Sequence, residues 1–133
     1  MILQEFLDKY YSATEADEEL ELEIVEYIPF EKKVDVCRAI IDDTTHDSED
    51  NFLMNSAFRN VMYRMVLIDV YTNIDIDFGN ITGEFDVLES KGLVDYLLSF
   101  IPSEEINRFD TIMQCELNDL YQNERSQAAI ARR

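Results

Sequence analysis

Ser56-Ala57-Phe58-Arg59-Asn60-Val61-Met62-Tyr63-Arg64-Met65-Val66-Leu67-Ile68-Asp69-Val70-Tyr71 is the stretch on which the fold turns. Phe58, Val61, Met62, Met65, Val66, Ile68 and Val70 follow helical spacing, and between Val61 and Tyr71 Arg64 and Asp69 are the exceptions to an apolar run. A helix that is apolar on nearly every side belongs at the centre of a bundle, where neighbours cover all of its faces. Asn55 or Ser56 is placed to cap its first turn. The expectation is an all-α fold: one compact bundle of six to seven helices around a buried central helix at about residues 56–72.

The flanking sequence supplies the other helices. Leu3, Phe6, Leu7, Tyr10 and Tyr11 form an amphipathic stripe over residues 2–12. Thr14 then reads as the N-cap of a second helix to about Ile28, with Glu15, Asp17 and Glu18 in its first turn, where the helix dipole favours acids. Glu19–Ile24 alternates strictly, as an edge strand would. The longer frame Leu20, Ile24, Tyr27, Ile28 restores helical period, and helix is the expectation. Pro29 would end it. Phe30, Val34, Cys37, Ile40 and Ile41 give a third helix through about Asp42, followed by a wholly polar loop from Asp42 to Asn51.

Beyond the central helix, residues 73–83 carry Gly79 and Gly83 and read as a connector with a short extended piece. Thr82 is placed to cap a helix at about 84–91, closed by Gly92 in the left-handed conformation. Leu93, Tyr96, Leu97, Phe100 and Ile101 make the next helix, stopped by Pro102. Ser103 caps the last, with Glu104 and Glu105 in its first turn and the stripe Ile106, Phe109, Ile112, Met113, Leu117, Leu120, Tyr121. Residues 1–124 are thus expected to form a single helical domain, and 125–133 a basic tail bearing Arg125, Arg132 and Arg133.

Charge constrains the partner. The chain holds 29 acidic against 11 basic side chains, a formal net charge of −18 on 133 residues. Such a surface repels nucleic acid and anionic lipid and attracts basic protein. Hydrophobic residues at 47% nevertheless suffice for a folded core. Glu15, Asp17, Glu18, Glu19, Glu21, Glu23 and Glu26 lie in a run that contains no base, and they are the candidate partner-binding residues. No basic leader or apolar run long enough to span a bilayer occurs, so no membrane contact is expected. Cys37 and Cys115 sit in apolar helical patterns and read as two small core residues.

Catalytic chemistry finds little support. His46 is the single histidine and falls in the acidic loop. Phosphate-cradling glycine loops, zinc-protease helices and nucleophile elbows are all missing. Asn73, Asp75, Asp77 and Glu84 match four positions of a calcium loop, but Phe78 stands where the sharp turn needs glycine, and Ile74 and Ile76 alternate with the acids as in a half-buried strand. No cofactor or metal is assigned.

Four phrases carry a resemblance: Tyr27-Ile28-Pro29-Phe30-Glu31-Lys32-Lys33, Asn55-Ser56-Ala57-Phe58-Arg59, Val70-Tyr71-Thr72-Asn73-Ile74-Asp75-Ile76-Asp77, and Leu117-Asn118-Asp119-Leu120-Tyr121-Gln122-Asn123-Glu124-Arg125. Together, over roughly residues 1–125, the chain resembles small acidic helical proteins of tailed phages of Gram-positive bacteria. The resemblance implies a phage protein without enzymatic activity, acting either in virion assembly or against host defence, and it supplies no site residues. The expected function is a non-catalytic acidic protein-binding module in head–tail or tail assembly. The alternative is an inhibitor of a host defence protein that mimics nucleic acid. The expected location is the host cytoplasm, with incorporation in a virion as a variant. Self-association is also open, through the basic C-terminal tail and the acidic half of another copy.

Overall fold

Six α-helices and one 3-10 turn form the regular structure of the described residues, with no β-strand among them: α1 (Leu3–Glu15), α2 (Phe30–Thr44), α3 (Ser56–Tyr71), the 3-10 turn (Phe78–Asn80), α4 (Ile81–Glu89), α5 (Leu93–Leu98) and α6 (Ser103–Ala131). The computed structural model describes residues 1–45 and 55–131, with side chains through residue 123. The all-α class expected from the periodicity is the class observed. His46, Asp47, Glu49 and Asp50 of the polar loop, together with Arg132 and Arg133, lie outside the described residues.

The chain divides into two compact units, each assembled from separated segments: Met1–Glu26 with Ser56–Pro102, and Tyr27–Asn55 with Ser103–Arg133. In the first, α3 packs against α4 and α5. No residue from Val61 to Tyr71 is fully exposed, and Met65, Ile68 and Tyr71 are completely buried. The C-terminal carbonyls of α3, which have no partner within a helix, are met from two directions. Val25 N–H donates to the Tyr71 carbonyl (2.8 Å), and Thr72 turns its hydroxyl back onto the Ile68 carbonyl (2.6 Å). The connector then runs extended, with Ile74 and Ile76 buried and Asp75 and Asp77 exposed, the alternation expected of it. Its Asp75 N–H donates to the Met1 carbonyl (2.6 Å). Gly92 takes φ 68° between α4 and α5, the left-handed turn that its lack of Cβ permits.

In the second unit α2 lies against α6. Lys33 Nζ pairs with Glu105 Oε2 at 2.9 Å, and the Cys37 thiol donates weakly to the Phe109 carbonyl at 3.9 Å. Both helices advance four residues between these contacts, so they run parallel. Lys33 and Glu105 are almost wholly enclosed, at 3% and 4% side-chain exposure. Glu105 Oε1 also accepts from the Ile28 N–H (2.8 Å), and Lys33 Nζ sits 4.7 Å from the Tyr27 ring centroid. The pair is thereby satisfied on both sides.

Several expectations are corrected. Residues 18–28 are not a helix but an extended arm, in which Leu20, Leu22 and Ile24 are half-buried and Glu19, Glu21 and Glu23 exposed; Ile24 makes an isolated antiparallel bridge to Thr72. The alternation, not the longer helical frame, governs here. Thr14 caps nothing: it lies inside α1, and its hydroxyl donates to the Tyr10 carbonyl (2.8 Å). Pro29 opens α2 at its N-cap instead of closing a helix before it, since a proline loses nothing where no amide partner exists. Helix α2 continues through Asp42 and Asp43 to Thr44, and α4 begins at Ile81 behind Asn80 rather than behind Thr82. Cys115 is exposed on α6, whereas Cys37 is buried as expected. Helix α6 itself runs to Ala131.

Lys33→Met leaves a buried carboxylate without its cation and is expected to cost about 3–5 kcal/mol in urea denaturation. Lys33→Met with Glu105→Gln keeps the acceptor for Ile28 and should recover much of that loss. A single-variant loss below about 1 kcal/mol would mean that the pair is solvated.

Burial, reinforced by the Glu116 and Asp110 carboxylates, pushes the Cys37 thiol up from 9.0 to about 12. Its protonated form is therefore favoured by folding: the contribution is complete below pH 9 and is lost as pH rises towards about 12. Stability should fall more steeply over that window in the native chain than in Cys37→Ala. At neutral pH a thiol reagent should modify Cys115 in the folded protein and reach Cys37 only in denaturant, as read by peptide mass spectrometry.

Candidate functional site

Helix α1 stops because of how residues 16–18 are hydrogen-bonded. Asp17 N–H donates to the Thr14 carbonyl (3.3 Å) and Glu18 N–H to the Ala13 carbonyl (2.8 Å), the paired closure of a Schellman motif. Asp17 occupies the left-handed position at φ 54°, where glycine is usual and aspartate is among the few tolerated alternatives. Beyond this turn the chain can only leave the helix axis. The arm follows.

All seven sequence-predicted acids are exposed: Glu15, Asp17, Glu18, Glu19, Glu21, Glu23 and Glu26. Their setting differs from the expected one. Glu15, Asp17 and Glu18 surround the C-terminus of α1, the negative end of its dipole, instead of the positive end of a second helix. No basic residue sits in the last turn of α1 to offset them.

The acids are not equivalent. Glu18 and Glu19 line a hollow of about 380 Å³ whose other walls include Tyr10, Thr14, Tyr96 and Phe100. The rings form a continuous chain: Tyr10 to Tyr96 at 5.9 Å between centroids and Tyr96 to Phe100 at 5.1 Å, both edge-to-face. A wider groove of about 780 Å³ shares Glu18, Glu19 and Leu20 with the hollow and extends past Asp8, Lys9 and Glu21. Glu15, Asp17, Glu23 and Glu26 line neither. The arm and α1 thus bring carboxylates together with aromatic faces, a combination suited to holding a cation without any covalent chemistry.

The aromatic half of this site went unmarked in the sequence because Tyr10, Tyr96 and Phe100 fit apolar stripes that read as core. The available signal was the residue type. Two of the three positions hold tyrosine, which keeps one polar end at a surface.

The calcium register is put to local use instead. Asp77 Oδ1 accepts from the Gly79 N–H (3.0 Å), and Glu84 Oε1 accepts from the Asp77 N–H (2.6 Å). Among the described residues no three His, Cys, Asp or Glu side chains are grouped to hold a metal ion, and no helix is long and apolar enough to cross a membrane. No protein-family model, curated protein or solved structure matches the chain.

Asp17→Gly relieves the left-handed strain and removes a charge from the negative end of α1, and should stabilise the fold by about 1 kcal/mol in thermal denaturation. Asp17→Asn removes only the charge and should give roughly half as much. A destabilised glycine variant would show that α1 does not end at this turn in solution.

Proposed function

We propose that this chain is a non-catalytic protein-binding module that docks its acidic arm on a basic protein surface, in the host cytoplasm, during head–tail or tail assembly of a phage particle. The observation that carries the reading is the placement of the acids. Glu15, Asp17 and Glu18 crowd the negative end of α1, and Glu19, Glu21 and Glu23 stand exposed on one side of an extended segment. Each destabilises the isolated chain through repulsion from its neighbours, and those at the helix end through the dipole as well. A basic partner reverses the sign of that cost. The phage setting rests on the four phrases that resemble small acidic phage proteins.

One feature favours the second reading, mimicry of nucleic acid by an inhibitor of a host defence protein. Residues two apart in an extended segment are separated by about 7 Å, so Glu19, Glu21 and Glu23 present charge at a spacing comparable to that of successive phosphates.

Two sets of variants test the module. Glu18, Glu19, Glu21 and Glu23 are replaced together by Gln; in the control, Glu89 and Glu104 become Gln and Asp86 and Asp119 become Asn. Both remove four charges from exposed positions. Binding to immobilised oligo-lysine, and to the structural proteins encoded beside this gene, should weaken by about 2 kcal/mol or more at low salt for the arm variant and much less for the control. Equal losses would show that net charge alone matters. Unchanged binding in the arm variant would return the arm to a solvated surface. Displacement of duplex DNA from a basic defence protein by the native chain, lost in the arm variant, would favour the inhibitor.

A further inference from the structure

We propose that the hollow walled by Tyr10, Tyr96 and Phe100 and rimmed by Glu18 and Glu19 receives a single arginine side chain of the partner. The inference rests on the docking role of the arm and goes further, naming the pocket and the side chain that fills it.

The chemistry of the walls selects the occupant. A volume of about 380 Å³ lies at the small end of ligand pockets, ample for one long side chain. Tyr10, Tyr96 and Phe100 form a linked edge-to-face set, so the rings hold one another in place. Tyr96 remains 37% exposed and so retains a surface for a ligand to cover. An aromatic wall alone would accept any apolar group. Glu18 and Glu19 on the rim, with the C-terminal dipole of α1 behind them, make an anion or an uncharged aliphatic tip a poor match.

Between the two basic side chains, arginine fits better. Its guanidinium is planar, so one face can stack on a ring while its edge donates to carboxylates, and it is less strongly hydrated than an ammonium. Lysine offers a point charge that satisfies the rim but meets the rings without the planar stacking that a guanidinium adds. Lys9 lies on the adjoining groove and not on the hollow, so among the described residues no basic side chain lines the pocket.

The test uses the full chain and three peptides: tri-arginine, tri-lysine and the uncharged citrulline counterpart of the first. The arginine peptide is expected to bind several-fold tighter than the lysine peptide at moderate salt and to shift the ring resonances of Tyr10 and Tyr96. The citrulline peptide should lose most of the affinity. Tyr96→Leu leaves the charge unaltered and should weaken the arginine peptide roughly tenfold while bringing it close to the lysine peptide. Where circular dichroism shows that variant unfolded, Phe100→Leu and the ring shifts of the native protein decide. Native ring resonances that stay still, or a folded Tyr96→Leu or Phe100→Leu that binds as the native chain does, would overturn the arginine pocket. So would equal binding of the citrulline peptide. If Gln at Glu18, Glu19, Glu21 and Glu23 still weakens both basic peptides alike, the arm docks by charge alone and the broader function survives. If neither basic peptide binds at low salt, both readings fall together.

Discussion

With 18 negative charges uncompensated, each carboxylate is repelled by the others and excluded from the low-dielectric interior unless a cation accompanies it. Glu105 is the one acid buried among the described residues, and it meets that condition: Lys33 neutralises one oxygen while the Ile28 amide occupies the other. The pair also sets register. Because it joins the first turn of α2 to the first turn of α6, Cys37 arrives opposite Phe109 one turn later, and the apolar residues behind them pack in parallel. Arg38 and Glu116 add an exposed contact further along, at 3.1 Å, which water screens and which contributes little. The remaining acids of the described residues stay at least partly in contact with solvent.

How legible this was depended on which force decides each segment. Helices α1, α2, α3 and α6 are decided by burial of a continuous apolar stripe, and such stripes can be read directly. The arm is decided by a competition between two periods. Leu20, Ile24, Tyr27 and Ile28 satisfy a helix, and Leu20, Leu22 and Ile24 satisfy a strand. What breaks the tie is tertiary: the Tyr71 carbonyl at the end of α3 needs a donor, and the Val25 amide supplies it. Asp17 contributes locally by accepting a left-handed turn, and an aspartate gives a far weaker helix-stop signal than glycine. Lys33 and Glu105 were equally hidden. A lysine one turn into a helix reads as solvated until its partner, 72 residues away, is known.

The candidate site was half visible for the same reason. Its acids stood out by number, but composition treats all seven alike, and only the fold separates Glu18 and Glu19, which face aromatic walls, from Glu23 and Glu26, which do not. Tyr10 and Tyr96 were assigned to the core by spacing. Their contribution comes from the part of each ring that the core does not cover. Folding joins two patterns, an acidic run and an aromatic stripe, that are about 80 residues apart in the chain at Glu18 and Tyr96.

The opposing demands on the acidic arm are met by placing it where the backbone, not the side chains, secures it. Val25 is tied to α3 through its amide, and Leu20, Leu22 and Ile24 turn inward, so the exposed glutamates between them add repulsion. Ions in solution screen such exposed charges within about 8–10 Å but leave the enclosed Lys33–Glu105 pair almost untouched. Salt therefore eases the repulsion within the arm and, on the proposed docking role, would weaken its attraction to a basic surface in the same step. The arginine proposed for the hollow among Tyr10, Tyr96 and Phe100 would answer to a different control. There the cation is partly withdrawn from water, and its attraction to the rings is short-ranged and little affected by dissolved ions. On the proposed docking role, long-range charge would govern how readily a basic partner arrives, and the aromatic hollow which of its side chains is retained.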